Sequence, residues 1–438
     1  MGRRRKGIAL SLWMNGQAVG YWRINSRGEH ELAYLPGWVE SDLGRPVSLS
    51  MPLRPADAPY RGEVVRNYFE NLLPENRAIR NRIAQHFRTT TDAFDLLREV
   101  GRDCAGALQL LPEGEEPPAT LPVQAVAMSE GEIAEHLAAL PRGGAFGQDV
   151  DGTFRLSLAG AQEKTAFLWH EGRWCRPQGS TPTTHIFKLP LGQMPGGIDL
   201  RTSVENEWLC MELLRAFGVP TARVAMLRFG EHRVLGVERF DRRWSDTQGW
   251  LRLPQEDFAQ VFGVDPDSKY EDKGGPGIRA IMNQLVGSAN AQADQRDFFR
   301  TQVLFWMLAA IDGHAKNFSL FIAPRGRFHL TPRYDVLSAY PVMGKGAGQV
   351  SAHKVRMAMA VWRKNRHYRW GEMRRAHFEA TAADCKLADA GALIDELIAR
   401  TPQAIEAVQG ALPKAFPASV AQPIFEGLAE AAAALIGL

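Results

Sequence analysis

The sequence predicts an α+β fold of two lobes, the first rich in strands and the second all helical, behind a separate N-terminal α/β subdomain. Three observations carry this expectation. Strand-like runs crowd residues 120–245, nearly everything beyond Leu253-Pro254 has helical spacing, and one polar loop, Ile311-Asp-Gly-His-Ala-Lys-Asn317, interrupts the helical part. At 438 residues the chain has room for two or three domains, each with its own core. Apolar content of 45% and charged content of 23% are ordinary for a soluble globular protein, and a net charge of +3 is too mild to argue for nucleic acid alone. The four cysteines form no C-x-x-C pair, so reduced thiols in a cytoplasmic protein are expected rather than a disulfide framework or a zinc site. The basic start, Met1 to Lys6, precedes an apolar run from Ile8 to Met14 that ends at Asn15-Gly16, which suits a first strand and hairpin better than a signal peptide. No run reaches the ~20 apolar residues of a membrane helix, so no membrane partner is expected.

The expected divisions are 1–112, 113–245 and 246–438. In the first, Ile8–Met14, Ala18–Ile24 and His30–Tyr34 read as strands. The pairs Val64-Val65, Tyr68-Phe69 and Leu72-Leu73 then have helical spacing, closed by Pro74-Glu75-Asn76. Ala78–Phe87 and Asp92–Val100 follow as amphipathic helices, and Ala107–Leu111 as a strand. Pro112 to Pro118, rich in Pro and Glu, reads as a linker. In the second division the strands are Thr165–Trp169, His185–Leu189, Ala222–Phe229 and Arg233–Arg239, with one helix at Ser203–Phe217. In the third, Thr301–Ile311 reads as a buried helix broken by Asp312-Gly313. Asn317–Ile322 alternates like a strand, Pro324-Arg-Gly326 turns, and Phe328–Thr331 returns. Leu393–Ala399 and Val420–Leu435 are amphipathic helices.

Asp312 and Asn317 stand five positions apart, and the hairpin brings back a second acid in Arg333-Tyr334-Asp335. Phosphoryl transfer from ATP asks for this polar set: one aspartate to take the acceptor's proton, an asparagine and a second aspartate to hold Mg²⁺ on the phosphates. On spacing alone a helix end capped by Asp-Gly would serve as well, so the upstream residues matter. Arg155 to Thr165 lies between strand-like runs where a phosphate-covering loop belongs. Its single glycine makes a poor G-x-G-x-x-G, but the small residues Ala159, Gly160 and Ala161 let backbone N–H groups approach phosphate. Lys188 ends an alternating strand in the place of a lysine that neutralises phosphate, and the next helix offers Glu205 or Glu207 as its partner, with Glu207 preferred. Glu238, Arg239 and Phe240 end the strand-rich lobe where a hinge would meet adenine. Arg363, Lys364 and Arg366 belong to a basic, aromatic-interleaved stretch that either contacts DNA phosphates or lines a solvated helix face.

Together, Ser157-Leu-Ala-Gly-Ala-Gln-Glu-Lys-Thr165, Thr181-Pro-Thr-Thr-His-Ile-Phe-Lys-Leu-Pro190, Val237-Glu-Arg-Phe-Asp-Arg242, Leu253-Pro-Gln-Glu-Asp257, Gly274-Gly-Pro-Gly277 and Asp312-Gly-His-Ala-Lys-Asn317 resemble the HipA toxin kinases of bacteria. The resemblance runs nearly end to end and includes Asn71-Leu-Leu-Pro-Glu75. It implies a two-lobed kinase of the phosphatidylinositol-kinase-like branch that uses ATP and Mg²⁺ to phosphorylate a serine of a protein. It further implies Ser157 as an autophosphorylation site and Ala159, Gly160, Ala161, Gln162, Glu163 and Lys164 as the ATP loop. Lys188 becomes the phosphate lysine, Glu238 to Phe240 the adenine hinge, and Asp312 the base. His314, Ala315, Lys316 and Asn317 are the loop on ATP, with Tyr334 and Asp335 beside it and Asn317 and Asp335 on the metal. The implied partners are a HipB-like helix-turn-helix antitoxin dimer, operator DNA reached through it, and an aminoacyl-tRNA synthetase as substrate, the glutamyl enzyme first. A phosphate on Ser157 adds about −1.5 to −2 charge inside a phosphate-binding loop, which reads as an off-switch. The alternatives are a small-molecule kinase of related fold, or a protein acting mainly as a DNA-bound co-repressor.

Overall fold

The computed structural model describes residues 8–119, 121–142, 157–160 and 162–436. The first unit is a five-stranded antiparallel sheet in the order Tyr60–Arg61, His30–Tyr34, Gln17–Ile24, Ile8–Met14, Leu108–Pro112. The chain turns between its first two strands at Asn15-Gly16, both at positive φ, as a tight hairpin requires. Helices Glu63–Glu70, Arg77–Phe87 and Ala93–Val100 accompany this sheet, close to their expected bounds. Trp22 sits at the centre of its core, stacked on Phe69 with ring centroids 3.8 Å apart.

A six-stranded sheet follows, in the order Val224–Phe229, His232–Glu238, His185–Lys188, Lys164–His170, Arg173–Pro177, Ala125–Ala127. Strand alternation divides its side chains between two cores. Phe167, Phe187 and Val234 join the core of the first unit, whereas Leu235 and Val237 pack with helix Ser203–Ala216 and the helical part. The same alternation turns Ile186 and Lys188 into the cleft while Phe187 is fully buried on the opposite face. Strands Ala125–Ala127 and Arg173–Pro177 and helix Glu130–Ala139 were not expected from the sequence.

The last part is built on helices Ile278–Leu285, Ala291–Met307, Arg375–Asp384, Ala390–Gly410 and Ala418–Ile436. The expectation of an all-helical region is corrected here. Arg242–Ser245 pairs with Gly249–Arg252, Arg356–Trp362 pairs with Arg366–Arg369, and Gln255–Asp257 adds a third strand to the expected hairpin, found as Ser319–Ile322 and Phe328–Leu330. The helix expected at 301–311 begins at Ala291 and ends at Met307, because Ala309 takes φ +47° and the Ala310 N–H closes on the Phe305 carbonyl at 2.7 Å. The basic residues Arg363 and Lys364 lie at the exposed tip of a hairpin and not on a helix face. The four cysteines are free and buried, and among the described residues no helix is long and apolar enough to cross a membrane.

Candidate active site

A cavity of about 280 Å³ opens between the six-stranded sheet and the helical part. Its floor is the loop after Ala291–Met307. Gly313 is dictated by packing, since a Cβ there would lie 2.5 Å from the Phe305 ring. The Asn317 amide nitrogen donates to the Asp312 carbonyl at 2.8 Å, which ties the two ends of the loop and leaves Oδ1 as the acceptor for a cation. Asp335 returns beside them at φ +62°, a left-handed conformation uncommon outside glycine and frequent at functional sites.

Lys188 crosses the cleft from the sheet. Its Nζ lies 2.6 Å from Glu207 Oε1 and 2.7 Å from Asp335 Oδ1, so the preferred partner is the one found. Glu205 instead pairs with Arg233. Burial works against charge on all three groups, yet the two carboxylates hold Lys188 protonated well above the usual lysine range. Burial would raise Asp335, but Lys188 and Lys164 outweigh it and hold that carboxyl well below the carboxylate range. Glu207, buried and facing Asp335 as well as Lys188, is pushed up to about 7. Lys164 closes no ion pair among the described residues, and burial with Lys188 nearby pushes it down to about 8. The kcat/KM for ATP is therefore expected to fall as pH rises through about 8, where the free protein loses the Lys164 charge. Lys164→Met should flatten that limb, and an unchanged limb in this variant would assign the titration to another group.

Above the phosphate end, Ala159, Gly160, Gln162 and Lys164 line the cavity, as the sequence led us to expect. Gly160 has φ +111° and leaves no room for a side chain beside Lys164 Nζ, 2.5 Å from where its Cβ would stand. Ala161 lies outside the described residues. Glu163 does not face the cavity; it pairs with Arg82 of the first unit, 81 residues away. At the other end Ile186 and Val237 oppose Phe240 and Tyr334, leaving an apolar slot of the kind a purine ring fills. The Tyr334 hydroxyl donates to the Lys316 carbonyl at 2.8 Å, which fixes its ring. Glu238 lines the same end with its side chain half exposed.

Of the remaining expected residues, Arg239 and Lys316 line the cavity with their charged groups committed elsewhere, and Ala315 does not line it. The Arg239 side chain is buried in an ionic cluster with Asp103, Asp241, Arg242 and Arg252, and its N–H is taken by the Thr184 carbonyl at 2.8 Å, so only its position at the slot remains. Ala315 is fully buried behind the loop. Lys316 Nζ is committed to Asp257 at 2.8 Å and to Asn71 Oδ1 at 2.9 Å, binding the loop to the first unit. His314 is buried on the cleft floor with Nδ1 unpartnered, and burial lowers its pKa.

Two sets of residues escaped the sequence reading. The Tyr270 hydroxyl donates to Asp312 Oδ1 at 2.6 Å, while the Asp312 side chain stays largely exposed. The turn Asn71 to Glu75 of the first unit forms a cleft wall. There the Ser157 hydroxyl donates to the Leu72 carbonyl at 2.7 Å, the Glu75 N–H donates to the Gly160 carbonyl at 3.1 Å, and Glu75 pairs with Lys269. Ser157 itself is 1% exposed. No spacing rule connects either set to the loop; Asn71-Leu-Leu-Pro-Glu75 was visible only as part of the family resemblance.

An apolar slot ending in two lysines, with an acid and an amide opposite and an exposed aspartate at the mouth, fits ATP and one Mg²⁺. Mg²⁺ keeps several waters and takes its remaining ligands from phosphates, so one carboxylate and one amide suffice on the protein side. The class this defines is a kinase. Residues 156–406 match the HipA-like C-terminal domain and residues 10–111 the HipA N-terminal domain. Y4mE of Sinorhizobium fredii, named for kinase activity, is 35% identical over 341 residues, 76% of this chain and 78% of that one. The serine/threonine-protein kinase toxin HipA of Shewanella oneidensis is 30% identical over 347 residues, 76% of each chain. The solved complex of Shewanella oneidensis HipA with HipB and operator DNA has a chain of the same fold, with TM-score 0.79 at 22% identity over 98% of both. The chain belongs to the HipA family.

Proposed function

We propose that this protein is the toxin of a toxin–antitoxin module, a serine/threonine protein kinase that uses Mg-ATP to phosphorylate a translation enzyme and arrest growth. The observation that carries this reading is Lys188 bridging Glu207 and Asp335 across the cleft from Asp312 and Asn317. Asp312 accepts the proton of the acceptor hydroxyl, whose oxygen forms the new bond to the γ-phosphorus as the bond to the β–γ bridging oxygen breaks and ADP leaves. Lys188 and Lys164 offset phosphate charge, and the slot between Ile186, Val237, Phe240 and Tyr334 holds adenine against the 238–240 hinge. Asn317 and Asp335 would hold Mg²⁺, which would supply further neutralisation of phosphate charge. In this reading the chain divides at 112 and 245 into an N-terminal subdomain and two lobes of the phosphatidylinositol-kinase-like branch, and works in the cytoplasm.

The acceptor is a serine of an aminoacyl-tRNA synthetase, the glutamyl enzyme being the first to test. Control comes from a helix-turn-helix antitoxin dimer that holds the complex on operator DNA, with Arg363 and Lys364 as auxiliary phosphate contacts. Arg366 is turned onto Trp362 instead. Self-inactivation acts at Ser157. Its burial against Leu72 leaves no room for a phosphate, so a modified loop stays out of the cleft and ATP loses its cover.

Incubation with γ-labelled ATP and a bacterial lysate should label one dominant protein on serine and the kinase itself on Ser157. Self-labelling should rise with kinase concentration, because the buried hydroxyl reaches another molecule's cleft more easily than its own, and should vanish in Ser157→Ala. Label remaining in Ser157→Ala would move the site, and no protein acceptor in any fraction would remove the protein-kinase reading.

A further inference from the structure

Beside the catalytic loop lies a second cavity of about 360 Å³, lined by Glu271, the Gly274–Gly277 turn, Arg279, Trp362 and Arg366. We propose that it docks an acidic side chain of the acceptor protein and so sets which serine is phosphorylated; this deepens the protein-kinase reading and rests on it.

The chemistry is that of a carboxylate receptor. Trp362 is flanked by two guanidinium groups, Arg279 at 4.7 Å and Arg366 at 4.8 Å from its ring centre. Stacking on an aromatic face orients an arginine fork in advance, which lowers the entropy lost when it takes a carboxylate in two parallel hydrogen bonds. Among the described residues neither fork is hydrogen-bonded to a carboxylate. The nearest carboxylate oxygens are Asp384 at 3.7 Å from Arg279 and Glu271 at 3.9 Å from Arg366, both too long for a hydrogen bond, and both arginines are about half exposed. Glu271 is otherwise committed. It accepts the Ala360 N–H at 2.6 Å and presses on Gly277, where a Cβ would lie 2.1 Å from its carboxyl carbon. Exposed Arg363 and Lys364 follow Trp362 directly at the tip of the same hairpin and add positive charge there.

Position makes the occupant an acceptor protein. Strand Arg356–Trp362 runs from the catalytic loop to the pocket: the Ala358 N–H donates to the Ile311 carbonyl at 2.9 Å, Ala360 holds Glu271, and Trp362 lines the wall. At ~3.3 Å per extended residue, Trp362 lies about 13 Å beyond Ala358. The second tether is Tyr270, bonded to Asp312 at 2.6 Å and adjacent in sequence to Glu271. An acceptor strand with its serine at Asp312 therefore brings a residue about four positions away into the pocket.

The test uses fluorescent 13-residue peptides with a central serine and Glu or Gln at the fourth position on either side. Binding is read by anisotropy, and transfer from labelled ATP as kcat/KM. The wild-type protein should bind one Glu peptide roughly tenfold more tightly than its Gln counterpart, and phosphorylate it with the same preference. Arg279→Ala/Arg366→Ala, with an unchanged melting temperature, should bind both peptides alike; Trp362→Leu should reduce the preference. Equal binding of Glu and Gln peptides by the wild type, or a preference that survives in the double variant, overturns the proposal. So does displacement of the Glu peptide by duplex DNA of unrelated sequence through the same two arginines, which makes the pocket a nucleic-acid contact. A Glu preference in binding without transfer to any peptide supports the pocket while removing the kinase reading on which it was built.

Discussion

Asp312→Ala is expected to lower kcat for transfer to serine by about 10²–10⁴-fold, the range a positioned general base supplies, while the Kd for ATP changes little. The asymmetry follows from position. The Asp312 side chain is exposed at the cleft mouth, where among the described residues its hydrogen bond comes from the Tyr270 hydroxyl, so it is placed to meet the acceptor rather than the nucleotide. An interaction made mainly in the transition state lowers kcat without weakening ground-state binding. Asp335→Ala should behave differently, weakening Mg-ATP binding as well, because its carboxylate neutralises Lys188 and faces the phosphate end. Nucleotide titration and single-turnover transfer with both variants separate the two effects. Wild-type transfer by Asp312→Ala would show that another group takes the proton.

Asp103→Ala should cost about 3–5 kcal/mol of stability, the range found when one partner of a buried ion pair is removed. Asp103 and Asp241 balance three arginines, Arg239, Arg242 and Arg252, and all five side chains are less than 10% exposed. The surplus positive charge is spread over carbonyl oxygens of Cys104, Gly106 and Ser180. Without Asp103 a single carboxylate faces three guanidinium groups in a dry site. Burial raises the Asp103 pKa, but the three arginines outweigh it and hold that carboxyl far below its unfolded value. Its stabilisation is therefore full above the unfolded carboxylate range and is lost as pH falls through the folded value. Denaturant unfolding at pH 7 measures the loss, and a change below about 1 kcal/mol would mean that the arginines find other partners.

The parts of the site that the sequence revealed are those governed by local periodicity. Lys188 was legible because Ile186 and Phe187 before it alternate between cleft and core. Asp312, Asn317 and Asp335 were legible because a buried helix, a loop and a hairpin fix their spacing within 24 residues. What stayed hidden depends on distant packing. Tyr270 reaches Asp312 across 42 residues and Glu163 reaches Arg82 across 81, and neither contact leaves a trace in local pattern. The strand Arg356–Trp362 was missed because Met-Ala-Met-Ala-Val is apolar at every position, so neither a period of two nor one of 3.6 stands out. The burial of the Arg239 side chain stayed hidden for the reverse reason: a charge at a strand end is ordinarily solvated, and here it is 5% exposed.

The core that joins Trp22 and Phe69 to Phe167, Phe187 and Val234 determines how the molecule responds to a cut. Glu113 to Glu116 form an exposed stretch between the two sheets, the kind of segment a protease reaches first. Cleavage there breaks the backbone but leaves the shared aromatic core, the Asp103 cluster and the Lys316–Asn71 clasp in place. The two fragments should run together on a native gel and part only in denaturant, so a nicked molecule keeps its nucleotide cleft whole.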